Sequence, residues 1–200
     1  MPHAHVAFGV ETPGWAHPDH YTFAVLAALI GSWHRTYSAG ANTSSHLGEV
    51  VATKQCGVAF SSFHTCYNDT GLFGVSVVGE HERLDDLAHF SLKEFRRLAS
   101  TVGDSEVERA KQQVKAHQLM ALDGSNEVCD ELGRQVIALG RRVPPAEAFM
   151  RIDAITPADV RSVAKQYLVD VDLAVSAVGP LGNLPDYNLL RGWMGESYLS

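Results

Sequence analysis

The stretch from Val58 to Glu80 constrains the fold most. Two strand-like runs, Val58–Tyr67 and Leu72–Glu80, are separated by Asn68-Asp69-Thr70-Gly71. Asn, Asp and Gly tolerate the backbone angles of a tight reversal, so the runs read as neighbouring antiparallel strands. Another strand-like run, His5–Glu11, precedes them, and Asp172–Val178, closed by Gly179-Pro180, lies far downstream. Strands come first as a group and last as a single strand, with helical patterns between. That order predicts an α+β fold of two layers, a mostly antiparallel sheet covered by helices, in one domain over residues 1–200.

The helical segments follow from apolar spacing and end signals. Tyr21, Val25, Leu26, Leu29 and Ile30 recur at three- and four-residue intervals and predict a helix from Asp19 to Trp33. Tyr37–Thr43 reads as a small-residue loop, and Gly40-Ala41-Asn42 within it as a plain helix-to-helix connection. Ser44 or Ser45 can cap a shorter helix reaching Lys54, because a serine oxygen accepts the free N–H groups of a first turn. Helices are also predicted over Leu84–Ser100, Asp104–Leu122, Asn126–Leu139 and Pro145–Ile152. Thr156-Pro157-Ala158-Asp159 opens another that ends near Tyr167: Thr at the cap, Pro first in the helix and an acid in its first turn. Leu184-Pro185-Asp186-Tyr187 begins a terminal helix.

Composition excludes several function classes. The net charge of −7 and pI near 5.8 argue against a nucleic-acid surface, which needs clustered Lys and Arg. No apolar run approaches the ~18 residues of a membrane span. Three cysteines leave at least one unpaired. Cys56 and Cys66, if on one straight strand, are ~33 Å apart at about 3.3 Å per residue, too far for a disulfide. Reduced thiols and a reducing compartment fit. No Arg-rich amphipathic presequence precedes the first strand-like run. Its removal, a numbering that restarts and an internal signal stay open as alternatives.

Ten histidines invite a metal reading. His17-x-x-His20 has the look of half a site, but Pro18 interrupts it and no third ligand is specified. His3 and His5 sit on a terminal segment. Solvated or hydrogen-bonded histidines are the preferred reading. His64-Thr65-Cys66 puts an imidazole and a thiol on one strand face about 7 Å apart, and activating a thiol needs closer contact with a base. Packing is preferred there too. The charges of Glu106, Glu108, Arg109, Lys111 and Lys115 read as a solvated helix face with local ion pairs. Trp15, Trp33 and Trp193 read as packing residues, with the apolar tail Gly192–Ser200 available to a partner. Serine-hydrolase elbows and phosphate loops are absent.

Several blocks carry a family resemblance. Gly14-Trp15-Ala16-His17-Pro18-Asp19, Ile30-Gly31-Ser32-Trp33-His34-Arg35, Asn42-Thr43-Ser44-Ser45-His46-Leu47 and the run from Ser62 to Gly74 are the first of them. Asp123-Gly124-Ser125, Glu131-Leu132-Gly133-Arg134-Gln135, Arg141-Arg142-Val143-Pro144, Arg151-Ile152-Asp153-Ala154-Ile155 and Ala177-Val178-Gly179-Pro180 extend it over nearly the whole chain. Together they resemble the C-terminal half of pitrilysin/insulinase-type zinc peptidases. Within that family they resemble the branch of mitochondrial processing peptidase beta subunits and the first core protein of the cytochrome bc complex.

The resemblance implies a half-subunit that docks on an N-terminal half, two such subunits enclosing a chamber for extended peptides. The family's zinc helix, with its inverted His-x-x-Glu-His motif, belongs to the N-terminal half and is absent from this sequence; His81-Glu82 lacks the second histidine. An Arg and a Tyr that hold substrate in related branches correspond here to Ala52 and Phe60. The expected function is therefore a non-catalytic structural core subunit of mitochondrial respiratory complex III, on the matrix side of the inner membrane. The alternative is the C-terminal half of an active processing peptidase beta subunit whose zinc lies on a separate N-terminal half. Expected partners are that N-terminal half, an alpha-type or second core subunit, other complex III subunits and presequence peptides, with no nucleic acid. No catalytic, cofactor-binding or metal-ligating residue is assigned to this chain, and zinc is expected only on the partner half.

Overall fold

In a strand, successive side chains point to opposite faces, so the register states which residues share a core. The computed structural model describes residues 2–36, 43 and 45–195. β1 (Ala4–Pro13) buries Ala4, Val6, Phe8 and Val10 on one face and directs His5, Ala7, Gly9 and Glu11 to the other. β2 (Ser32–His34), β3 (Ala59–Cys66), β4 (Thr70–Gly79) and β5 (Ala174–Val178) complete a sheet of order β2-β3-β4-β1-β5. Every pairing is antiparallel. The α+β reading holds.

Helices cover the face carrying Phe8, Phe73, Val75 and Val77. α1 (His20–Ile30), α3 (Leu84–Ser100) and α7 (Pro157–Leu168) lie directly on the sheet. α2 (His46–Lys54), α4 (Asp104–Ala121), α6 (Pro145–Ala154) and α8 (Tyr187–Trp193) pack against those three, and α5 (Ser125–Leu139) extends from α4. Phe23 of α1, Phe73 of β4 and Phe95 of α3 are fully buried and meet in series as tilted pairs, with ring centroids 5.7 and 6.0 Å apart. Offset and tilted aromatic pairs of this kind add to the stabilisation from burial alone.

The structure shortens the first helix. The predicted helix through Trp33 stops at Ile30, because Gly31 takes φ +67° and its N–H bonds back to Ala27 O at 2.8 Å. Only glycine adopts that conformation freely. The chain then reverses into β2, where Trp33 pairs with Phe60 and is 6% exposed. The hairpin is tighter than predicted: β4 begins at Thr70, and Cys66 pairs with Gly71. The last strand starts at Ala174 rather than Asp172. The Gly40-Ala41-Asn42 connection lies outside the described residues, as does the tail beyond Gly195.

Caps follow the sequence signals. Ser45 accepts the Gly48 N–H at 3.2 Å, and its hydroxyl donates to Ile30 O at 2.6 Å, tying the start of α2 to the end of α1. Thr156 and Asp159 exchange a capping box at the start of α7. The supposed solvated face of α4 is partly buried. Lys111 is 8% exposed, and its ammonium donates to Asp153 O and Ile155 O at 3.0 and 2.9 Å, satisfying carbonyls at the end of α6.

One buried carboxylate organises three elements. Glu94 of α3, 2% exposed, accepts bonds from Arg97 and meets His46 Nδ1 at 2.9 Å, and Arg97 also reaches Glu106 at 3.0 Å. Burial works against the Glu94 charge, but the His46 and Arg97 hydrogen bonds outweigh it and hold the carboxyl below the usual range. The same hydrogen bond raises the His46 pKa above 6.5.

Two tests follow from this packing. Phe73→Ala should lower unfolding stability by about 4 kcal/mol and Glu94→Gln by about 3 kcal/mol in denaturant titrations. Protonated His46 stabilises the folded state fully below its ordinary pKa of 6.5, and that contribution is lost as pH rises through the higher folded value. The stability lost on His46→Gln should therefore be larger at pH about 6 than at pH about 8, read as the difference in melting temperature between the two proteins at each pH.

Candidate functional site

The far face of the sheet has no helical layer among the described residues. It presents His5, Ala7, Gly9 and Glu11 of β1, Leu72, Gly74, Ser76 and Val78 of β4, and Phe63 and Thr65 of β3. Gly9, Gly74 and Phe63 stand in one row across three strands. A Cβ on Gly74 would lie 2.0 Å from Phe8 O and 2.7 Å from the Phe63 ring, so only glycine lets the ring lie over the ladder. Leu72 and Val178 stay 38% and 57% exposed, which leaves a broad, shallow and weakly polar surface.

On the opposite side, where the end of β3 meets the start of α1, three chemistry-bearing side chains converge. His64 and Cys66 share the helix-facing side of β3, and His20 is the first residue of α1. Cys66 Sγ lies 3.0 Å from His64 Nε2 and 3.3 Å from His20 Nδ1. One ligand atom from each of the three falls within 4.8 Å of the others. His20 stacks on Trp15 at 4.4 Å and 25°, and His64 leans on Phe23 at 5.4 Å. Burial pushes both imidazoles down to about 4, with mutual repulsion adding to the effect at His64, and pushes the Cys66 thiol up to about 11. At neutral pH the trio is therefore two neutral rings and a thiol. A single S–H serves only one ring, so the other ring donates its own N–H to the sulfur.

This trio was only half visible in the sequence. The spacing of His64 and Cys66 places them on one face, as expected, but they are in contact rather than ~7 Å apart, because side chains lean where strand positions alone leave a gap. His20 joins them and does not pair with His17, whose ring instead accepts the Asp19 N–H at 3.3 Å in a local turn. No sequence signal links position 20 to 64 and 66; the link is the packing of α1 on β3. The three cysteines are all free: Cys56 is buried, Cys66 half-buried and Cys129 exposed. Trp33 and Trp193 pack as expected, Trp193 edge-on to His89 at 4.9 Å.

The residues of this chain do not fit the family's catalytic zinc. His81 and Glu82 lie in a single 3-10 turn, His81–Arg83, before α3, with no second histidine in register. Ala52 and Phe60 are 9% and 2% exposed, and neither offers a polar group. Phe60 faces the core beside Trp33, and Ala52 floors a cleft walled by Arg35, Glu80 and Arg83.

Fold and site define a peptidase-like domain that carries the family scaffold without its catalytic ligands. Residues 1–114 match the family model described as "Peptidase M16 inactive domain", and the chain belongs to that family as a C-terminal-half domain. It is 46% identical over 193 residues to the mitochondrial-processing peptidase subunit beta of Dictyostelium discoideum, covering 96% of this chain and 41% of that protein. The human subunit beta is 41% identical, with 97% of this chain and 40% of the relative covered. Among solved structures, a chain of complex III2 from Candida albicans, bound to Inz-5, superposes with TM-score 0.94 at 32% identity over 98% of this chain and 47% of its own length. The chain thus spans less than half the length of these relatives.

Thiol labelling checks the site's electrostatics. At pH about 7.5, iodoacetamide should modify the exposed Cys129 first, while Cys66, held protonated by its surroundings, and the buried Cys56 react far more slowly. Peptide mapping by mass spectrometry reads the order. Preferential labelling of Cys66 would mean an activated thiolate and a different site chemistry.

Proposed function

We propose that this chain is the C-terminal half of a non-catalytic, processing-peptidase-like core subunit of mitochondrial respiratory complex III, facing the matrix at the inner membrane. The superposition at TM-score 0.94 on a chain of complex III2 carries the reading. The uncovered sheet face and the exposed apolar residues Leu119, Met120, Val136 and Ile137 of α4 and α5 supply surface for partner half-subunits. The 200 residues act as one domain. Its partners are an N-terminal half of the same type, a second core subunit and other subunits of the complex. It binds no haem, quinone or nucleic acid, and the family's catalytic zinc, where present, belongs to the N-terminal half.

A second reading has its own support. The relatives from Dictyostelium discoideum and Homo sapiens carry the name mitochondrial-processing peptidase subunit beta, at 46% and 41% identity. In this reading the chain forms part of the wall of an active peptidase chamber and contributes shape, with Gly9, Gly74 and Phe63 on the face that an extended presequence would meet. Catalysis then resides entirely in the zinc-bearing half.

Isolation in mild detergent, with every associated chain identified, separates the two. The structural reading expects cytochrome subunits in the same particle and no chelator-sensitive cleavage of Arg-rich presequences. A particle without cytochrome subunits that cleaves presequences until chelator is added overturns it in favour of the peptidase.

A further inference from the structure

We infer that His20, His64 and Cys66 form a binding site for a single d10 transition-metal ion, Zn2+ in the first instance, at the junction of α1 and β3. The inference stands whichever of the two assembly readings is correct.

Geometry carries the inference. Tetrahedral Zn2+ with Zn–N bonds of about 2.1 Å and a Zn–S bond of about 2.3 Å sets neighbouring ligand atoms about 3.5 Å apart. The two sulfur–nitrogen separations here are 3.0 and 3.3 Å, and all three ligand atoms fit within 4.8 Å. Binding therefore asks for shifts of a few tenths of an ångström on the sulfur edges and a modest closure between the rings. The rings are already held: Trp15 stacks on His20, and Phe23 and Phe73 flank His64. Fixed ligand rings reduce the ordering that metal binding must impose.

Chemistry selects the metal class. Two imidazoles and a thiolate are borderline-to-soft donors, and no carboxylate belongs to the cluster. Mg2+ and Ca2+ need oxygen ligands and are excluded. His20 lines the cleft toward α5 and His64 lines the groove along α4, and Gln118 borders both. That side is left for a fourth ligand, water or the Gln118 amide. The proton balance is simple. Both imidazoles stay neutral, and the ring whose N–H faces the sulfur in the metal-free state moves that proton to its other nitrogen, so each ligating nitrogen is bare. The Cys66 S–H bond breaks, an S–Zn bond forms, and one proton passes to solvent. The bound ion clamps the first turn of α1 to the end of β3.

The test uses the full chain, stripped with chelator and kept reduced. Calorimetric titration with Zn2+ should give one ion per chain and about one proton released, read from the buffer dependence of the heat. Excess Zn2+ should raise the melting temperature and Mg2+ should not. Co2+ should produce a thiolate-to-metal charge-transfer absorption. Cys66→Ser and His20→Gln should each weaken Zn2+ binding at least ~100-fold. Equal affinity in wild type and Cys66→Ser would overturn the site, as would Co2+ bound without a thiolate band. If Cys66→Ser fails to fold, a Cys56→Ser/Cys129→Ser protein leaves Cys66 as the sole thiol. The charge-transfer band then supports the site if present and rejects it if absent.

Discussion

The antiparallel ladder between β1 and β4 sets the position of every other element. Its register places Phe8, Val10, Phe73, Val75 and Val77 on one face, and the helices exist where they do because that face must be covered. Phe73 at the ladder's centre touches Phe23 of α1 and Phe95 of α3, so one side chain couples the sheet to both helices. A slip of one residue would exchange the two faces and strand these rings on the bare side. The ladder also fixes what stays open. The opposite face carries glycines and small residues, with Phe63 laid across Gly74, which suits a wall more than a pocket.

Polar order in the core follows from the same packing. Glu94 is buried because α2 and α3 lie against each other, and it remains charged because Arg97 and His46 reach it there. Lys111 is buried because α4 crosses the end of α6, where unpaired carbonyls accept its protons. Glu94 and Lys111 each sit where a helix end or a neighbouring helix supplies partners, which is the condition for burying a charge at low cost. The His20–His64–Cys66 trio differs. It is polar and half-buried, and it is satisfied by internal hydrogen bonds alone, without a counter-charge from a carboxylate.

Much of this was legible in the chain. The Asn68–Gly71 reversal, the Thr156–Asp159 box and the Ser45 cap are local signals, and local signals survive into the fold because their partners are a few residues away. The β2 strand was not legible: three residues are too few to show alternation, and the helix ended at Gly31 through a backbone angle rather than a change in apolar spacing. The burial of Lys111 and Glu94 was hidden for a related reason, since the carbonyls at the end of α6 and the His46 ring of α2 lie far away in sequence. The metal-binding geometry was hidden most deeply, because His20 meets Cys66 across 46 residues of chain and only the docking of α1 on β3 brings them together.

On the function proposed above, this domain is one part of a larger shell and its bare sheet face turns toward an enclosed interior. Electron cryomicroscopy of the native particle tests it directly. The expected map shows an N-terminal half-subunit beside this domain and the row Gly9–Gly74–Phe63 facing a chamber between subunits. A map with that face on the outer surface in bulk solvent, and helices α1 and α3 turned inward, would contradict it.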